Sequence, residues 1–157
     1  MPNLHDNYNT YRAATDPAPA ECWAWNMYGP GLESIGKAGA PEQVAVQHPG
    51  PDQLLVRIDT VGLCFSDIKI IQQGGKHPKL YGHDLSVHPT RLGHEVALTI
   101  MEIGANLRDR YAVGQRCAVQ PDIFQSGQSR AYRYTVPGGL VQYHLIGPEV
   151  LETDDGA

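Results

Sequence analysis

Val61-Gly62-Leu63-Cys64-Phe65-Ser66-Asp67 closes one apolar run, and Leu92-Gly93-His94-Glu95 opens another. Upstream of the first stretch, residues 53–61 alternate. Leu54, Val56 and Ile58 point one way, Arg57 and Asp59 the other, the period of a half-buried strand. Downstream, residues 66–73 read as a short helix, with Ser66 as its cap, Asp67 in its first turn and Gly74-Gly75 as its stop. Residues 95–103 are the longest apolar strand, with Val96, Leu98 and Ile100 on one face. Two strands and a helix N-terminus therefore frame Cys64 and His94.

The rest of the chain has the same grain. Residues 22–27 alternate around Trp23, Trp25 and Met27 and predict a first strand, in which the two tryptophans share a face. Residues 43–47, 114–120 and 141–146 predict further strands, and His48-Pro49-Gly50-Pro51-Asp52 predicts a turn. Residues 76–92 and 125–130 read as polar loops. Residues 1–20 read as an N-terminal extension and residues 21–157 as one domain. With 17 Gly and 12 Pro punctuating short strands, the fold class expected is mainly β with short helices, a partly open barrel.

Composition excludes several classes of function. The chain has 157 residues, 41% hydrophobic and 18% charged, with a net charge of −5. No Lys/Arg cluster is present, so nucleic acid and anionic membranes are not expected partners. No run is long enough to predict a membrane span. Residues 1–21 carry Asp6 and Asp16 and no apolar stretch, so no secretory leader is expected. Three scattered cysteines, Cys22, Cys64 and Cys117, argue for a reducing cytoplasm rather than a disulfide framework.

The chemistry concentrates where the opening stretches lie. Cys64 precedes a helix N-terminus, where free amides and the helix dipole favour a thiolate. Taken singly, such a cysteine is equally an inert residue at a strand end. His94 is followed at once by Glu95. A neutral imidazole suits zinc, and a neighbouring carboxylate can orient it or join the metal. Asp67 is either a helix acid or the carboxylate that sets the His94 tautomer. Ser66 is either a cap or a hydroxyl that passes a proton. His77, His83 and His88 read as loop histidines without metal, and Cys22 and Cys117 as structural residues. No phosphate-binding glycine motif and no nucleophile elbow is present.

In this order the pieces resemble the zinc-dependent medium-chain alcohol dehydrogenase family. The resemblance is carried by Val61-Gly62-Leu63-Cys64-Phe65-Ser66-Asp67, Gly74-Gly75, Leu92-Gly93-His94-Glu95 and Val113-Gly114-Gln115-Arg116-Cys117-Ala118-Val119, and covers about residues 21–151. It implies a GroES-like catalytic domain. It implies Cys64 and His94 as zinc ligands, Glu95 beside the metal and able to join it, Asp67 supporting His94, and Ser66 starting a proton relay. It implies Zn2+ and, through a C-terminal Rossmann domain that this chain lacks, NAD(P). The substrate implied is a small-molecule alcohol, polyol or carbonyl compound, and a homo-oligomer is possible for such a full-length enzyme. Two departures stand out. Lys69 occupies the position where many relatives carry a relay histidine. Residues 121–139 lack the four cysteines of a structural zinc. Lys79-Leu80-Tyr81-Gly82-His83-Asp84-Leu85, Gln120-Pro121-Asp122-Ile123-Phe124 and Val136-Pro137-Gly138-Gly139 resemble the polyol and sugar-phosphate branch, of the sorbose-1-phosphate reductase type. His83 or Lys79 is a candidate substrate contact there. The competing reading is a stand-alone GroES-like binding or structural module without catalysis. A metal-free quinone-reductase relative ranks below both, because it leaves Cys64 and His94 unexplained.

Overall fold

The computed structural model describes residues 17–80, 83–132 and 136–152. Most of the expected N-terminal extension, most of the acidic tail, and Tyr81 and Gly82 lie outside them. In chain order the elements are β1 (Glu21–Ala24), β2 (Asn26–Met27), β3 (Glu42–Ala45), β4 (Leu54–Gly62), α1 (Phe65–Gln73), β5 (Thr90–Arg91), β6 (Glu95–Ile103), β7 (Arg116–Ala118), β8 (Asp122–Gln125), β9 (Gln128–Ala131), β10 (Tyr143–Ile146) and the single-turn α2 (Pro148–Leu151). The described residues form one four-stranded antiparallel sheet, in the order β10-β4-β6-β7, and three two-stranded ribbons, β1-β3, β2-β5 and β8-β9. These sheets do not close on one another, which is the partly open, mainly β architecture that the residue pattern predicts.

β4 and β6 are the longest strands and pair along their whole length. Leu54 and Val56 meet Val96, Leu98, Ile100, Leu107, Tyr132 and Ile146 in the main core. The expected alternation is incomplete, however. Leu55 is as buried as its neighbours, because its opposite pleat face lies toward Val44 and Val46. A bulge then offsets the register at Asp59, with Ile58 opposite Leu98 and Thr60 opposite Ala97. Its buried carboxylate accepts from Thr99 Oγ1 at 2.6 Å and pairs with Arg57 Nε at 3.0 Å.

Two expectations need correction. The first strand is divided at Trp25: β1 pairs with β3, while β2 pairs with β5. Trp25 N donates instead to Leu140 O at 2.9 Å, so the chain changes partner there. Trp23 and Trp25 stay substantially exposed rather than packing into a core. Residues 125–130 are not a loop but the turn and flanks of the β8-β9 hairpin. Ser126 and Gly127 both have positive φ, 53° and 71°, the condition for a tight two-residue hairpin turn. Cys22 is buried as expected, and Cys117 is partly buried against the main core, its thiol pKa raised by that burial.

A second core, Met27, Ile70, Leu80, Leu85 and Leu92, lies beneath α1 and anchors the loop that follows it. It delivers the chain to Gly93, whose φ is +81°. A Cβ at Gly93 would fall 2.2 Å from Val61 Cγ2, so only glycine fits both the conformation and the space. Gly93→Ala should therefore destabilise the fold by at least about 2 kcal/mol in urea titration.

The interior also holds polar groups. Arg91, Tyr132 and His144 each bury a side-chain nitrogen or oxygen that finds no hydrogen-bond partner. Burial, with the Arg91 charge adding to it, pushes the His144 pKa down to about 3. An unfolded histidine titrates near pH 6.5. Between about pH 6.5 and 3 the unfolded chain thus binds a proton that the folded chain refuses. The stabilisation is whole above that window and is lost as pH falls through it. His144→Gln should flatten the acid limb of stability against pH, measured by denaturant titration between about pH 6.5 and 4.

Candidate metal centre

Helix α1 begins one step earlier than the sequence predicts. Cys64, not Ser66, is its cap, with extended backbone at φ −121° and ψ 179°. Its Sγ accepts Ser66 N at 3.3 Å, and Asp67 reaches back to accept Cys64 N at 2.8 Å. This is a capping box in which sulfur takes the place of a hydroxyl. The cap pins Cys64 at the end of β4 and places its sulfur against the positive end of the helix dipole.

Asp67 does more than cap. It is 2% exposed, and its second oxygen accepts Gly93 N at 2.9 Å. One carboxylate thus ties the start of α1 to the turn before β6. His94 follows that turn. Its Nε2 lies 3.6 Å from Cys64 Sγ, while its Nδ1 faces Asp67 Oδ2 at 3.7 Å. The Nδ1 atom is buried and, at that separation, finds no hydrogen-bond partner.

These distances have a chemical meaning. Zinc bonds of about 2.3 Å to sulfur and about 2.0–2.1 Å to nitrogen, at a tetrahedral angle, separate the two ligand atoms by about 3.6 Å. Cys64 Sγ and His94 Nε2 are that far apart already. Cys64, Asp67 and His94 form the one group of three potential ligands among the described residues, with ligand atoms within 4.8 Å of one another. Asp67 differs from the other two. Both of its oxygens accept backbone amides, and it faces Nδ1 rather than Nε2. It is placed to orient the imidazole.

The remaining sequence candidates divide. Ser66 Oγ lies 2.8 Å from Cys64 Sγ. Glu95 Oε1 lies 4.0 Å from His94 Nε2, on a half-exposed side chain opposite Gly62. A Cβ at Gly62 would fall 2.6 Å from Glu95 Oε2, so the missing side chain leaves that carboxylate its room. Lys69 is exposed, with its ammonium over the Phe65 ring at 5.4 Å. His83 and His88 are exposed, and His77 Nδ1 accepts Lys79 N at 3.3 Å. None of these histidines joins the Cys64 group.

One supporting element escapes the sequence reading. Gly138 N, Gly139 N and Leu140 N donate to Arg91 O, Gly93 O and Leu92 O at 3.2, 2.8 and 3.2 Å. A Cβ at Gly139 would fall 2.2 Å from Val96 Cγ1. The Pro137-Gly138-Gly139 turn is therefore a brace laid along the backbone that presents His94. Its glycines were the only available signal.

The chain matches the family described as "Alcohol dehydrogenase GroES-like domain" over residues 50–151. It is similar to the mannitol-1-phosphate 5-dehydrogenase of Aliivibrio fischeri, 33% identical over 96 residues, covering 60% of this chain and 22% of that protein. It is also similar to the L-sorbose 1-phosphate reductase of Klebsiella pneumoniae, 30% identical over 105 residues, covering 66% of this chain and 25% of that one. The fold matches a structure described as a zinc-binding dehydrogenase from Sinorhizobium meliloti bound to NADP, with TM-score 0.61 and 23% identity, over 84% of this chain and 38% of that one. The chain spans about a quarter of the length of these curated relatives.

Asp67→Ala should leave the amides of Cys64 and Gly93 without acceptors. We expect a loss of about 2–5 kcal/mol in denaturant titration.

Proposed function

The chain belongs to the alcohol dehydrogenase GroES-like domain family, and from that membership we propose that it is the catalytic domain of a zinc-dependent, NAD(P)-linked alcohol or polyol dehydrogenase. Residues 21–157 form that domain in this reading, and a C-terminal Rossmann domain of the same protein brings the nicotinamide. The observation that carries the proposal is the 3.6 Å separation of Cys64 Sγ and His94 Nε2, with the other imidazole nitrogen turned to Asp67.

Cys64 and His94 would hold the metal. Zinc bound there supplies Lewis acidity to a substrate oxygen. Asp67 keeps His94 in the tautomer whose Nε2 lone pair faces Cys64, by accepting from Nδ1–H once the ring tightens onto it. Glu95 can reach the same space by a change of rotamer, since it is half exposed and 4.0 Å from Nε2. Ser66 Oγ, hydrogen-bonded to the Cys64 sulfur, would take the proton of a substrate hydroxyl while passing its own hydroxyl proton to solvent water. That proton does not pass to Lys69, which lies outside over Phe65. The relay is shorter than in relatives with a histidine at that position.

The relatives named for mannitol 1-phosphate and sorbose 1-phosphate support a polyol or sugar-phosphate substrate. A cytoplasmic location fits such chemistry, and among the described residues no helix is long and apolar enough to cross a membrane. In the full-length gene product, Cys64→Ser and His94→Ala should each lower bound zinc, read by elemental analysis. Each should also cut kcat/KM for polyol or polyol-phosphate oxidation by about 100-fold or more. Unchanged zinc content and turnover in both would return the chain to the reading of a barrel without catalysis.

A further inference from the structure

Arg91 carries a charge that the described residues do not answer. It lies on β5, just upstream of His94, with its guanidinium largely buried. Burial lowers its pKa, yet an arginine remains charged. The groups that act on it electrostatically are Tyr132 and Cys22, neither of them a carboxylate. Its Nε finds no hydrogen-bond partner, and the same holds for Tyr132 Oη and His144 Nε2. The Tyr132 and His144 rings meet edge to face, 6.2 Å between centroids.

All three groups can donate. Arg91 Nε–H can do nothing else. Burial raises the Tyr132 pKa and so keeps its hydroxyl protonated. His144 stays neutral and donates from Nε2 in one of its tautomers. What this cluster lacks is a carboxylate to answer the guanidinium.

A cavity of about 330 Å³ adjoins it. Arg91 and His144 line it, with Asn26, Gln47 and Tyr143 as further polar neighbours and no carboxylate. It lies between residues 44–47, at the end of the β1-β3 ribbon, and residues 143–145 of β10. Cys64, Asp67 and His94 do not line it, so it is distinct from the metal centre. A buried guanidinium with two more donors and no counter-charge is the chemistry that recognises an oxyanion, through short charge-assisted hydrogen bonds.

We propose that this cavity binds a small oxyanion, a phosphate or a carboxylate, with Arg91 as its charged anchor and His144 beside it in the wall. An anion held there answers the guanidinium charge and ties Arg91 to the polar wall of the cavity. The anion then acts as a staple for the strand that leads into His94.

The test is thermal melting and calorimetric titration of the 157-residue chain, stripped of metal, with inorganic phosphate or acetate at ionic strength fixed by chloride. Saturating phosphate should raise Tm by about 5 °C or more. In Arg91→Met the shift should fall below about 1 °C, because the charge that holds the anion is gone. Acetate giving this result in place of phosphate also supports the site and makes its ligand a carboxylate. No shift with either anion, or an equal shift in Arg91→Met, overturns the proposal. Should Arg91→Met fail to fold, Arg91→Lys keeps the charge and removes the planar fork of donors. A loss of affinity of about threefold to tenfold then supports the site, and unchanged affinity overturns it.

Discussion

The carboxylate of Asp67 holds this structure's chemistry together. It accepts the amide of Cys64 at the head of α1 and the amide of Gly93 at the mouth of β6. Each bond to a charged acceptor is worth about 1.5–3 kcal/mol. More important is that the two bonds join points far apart in the chain. A local helix cap becomes a long-range clamp, and the clamp sets the separation of sulfur and imidazole. Remove it, and only the β4-β6 pairing that ends at Gly62 and Glu95 relates the sulfur to the imidazole.

The clamp works because the backbones around it approach closely. Gly93 turns the chain at positive φ in space that any side chain would take from Val61. Gly139 lets a second backbone segment lie along the first and donate to Gly93 O. Family membership and the relatives' names give this geometry its context, and the geometry gives the family motif its physical reason. Cysteine before a helix, aspartate in the first turn and glycine before histidine are one device distributed over the chain.

Much of this was legible beforehand. The β4 and β6 patterns, the helix between them and the five residues Cys64, Ser66, Asp67, His94 and Glu95 stand out in sequence. Periodicity and turn chemistry report local burial directly, so the long strands were correctly placed. The misses share a cause. The break at Trp25 follows from a hydrogen bond to Leu140, which no local pattern encodes. The β8-β9 hairpin has few apolar residues and rests on backbone conformation at Ser126-Gly127. Ser66 looked like the cap because hydroxyls usually are, and only the observed bonds show sulfur in that place. No sequence pattern singles out Arg91 or His144, since burial by distant strands leaves no mark on their neighbours.

By itself the sequence determined the fold class, the order of the main strands and which positions carry side chains of metal-ligating chemistry. These depend on side-chain chemistry and on spacing over a few residues. Tertiary structure decided which of them meet. It turned Nε2 toward Cys64 and Nδ1 toward Asp67, left Glu95 half exposed at the rim, sent Lys69 outward, and buried Arg91 beside His144 without an acid. Those outcomes depend on pairings between segments distant in the chain, whose energy lies in contacts that form only when the whole sheet closes around them.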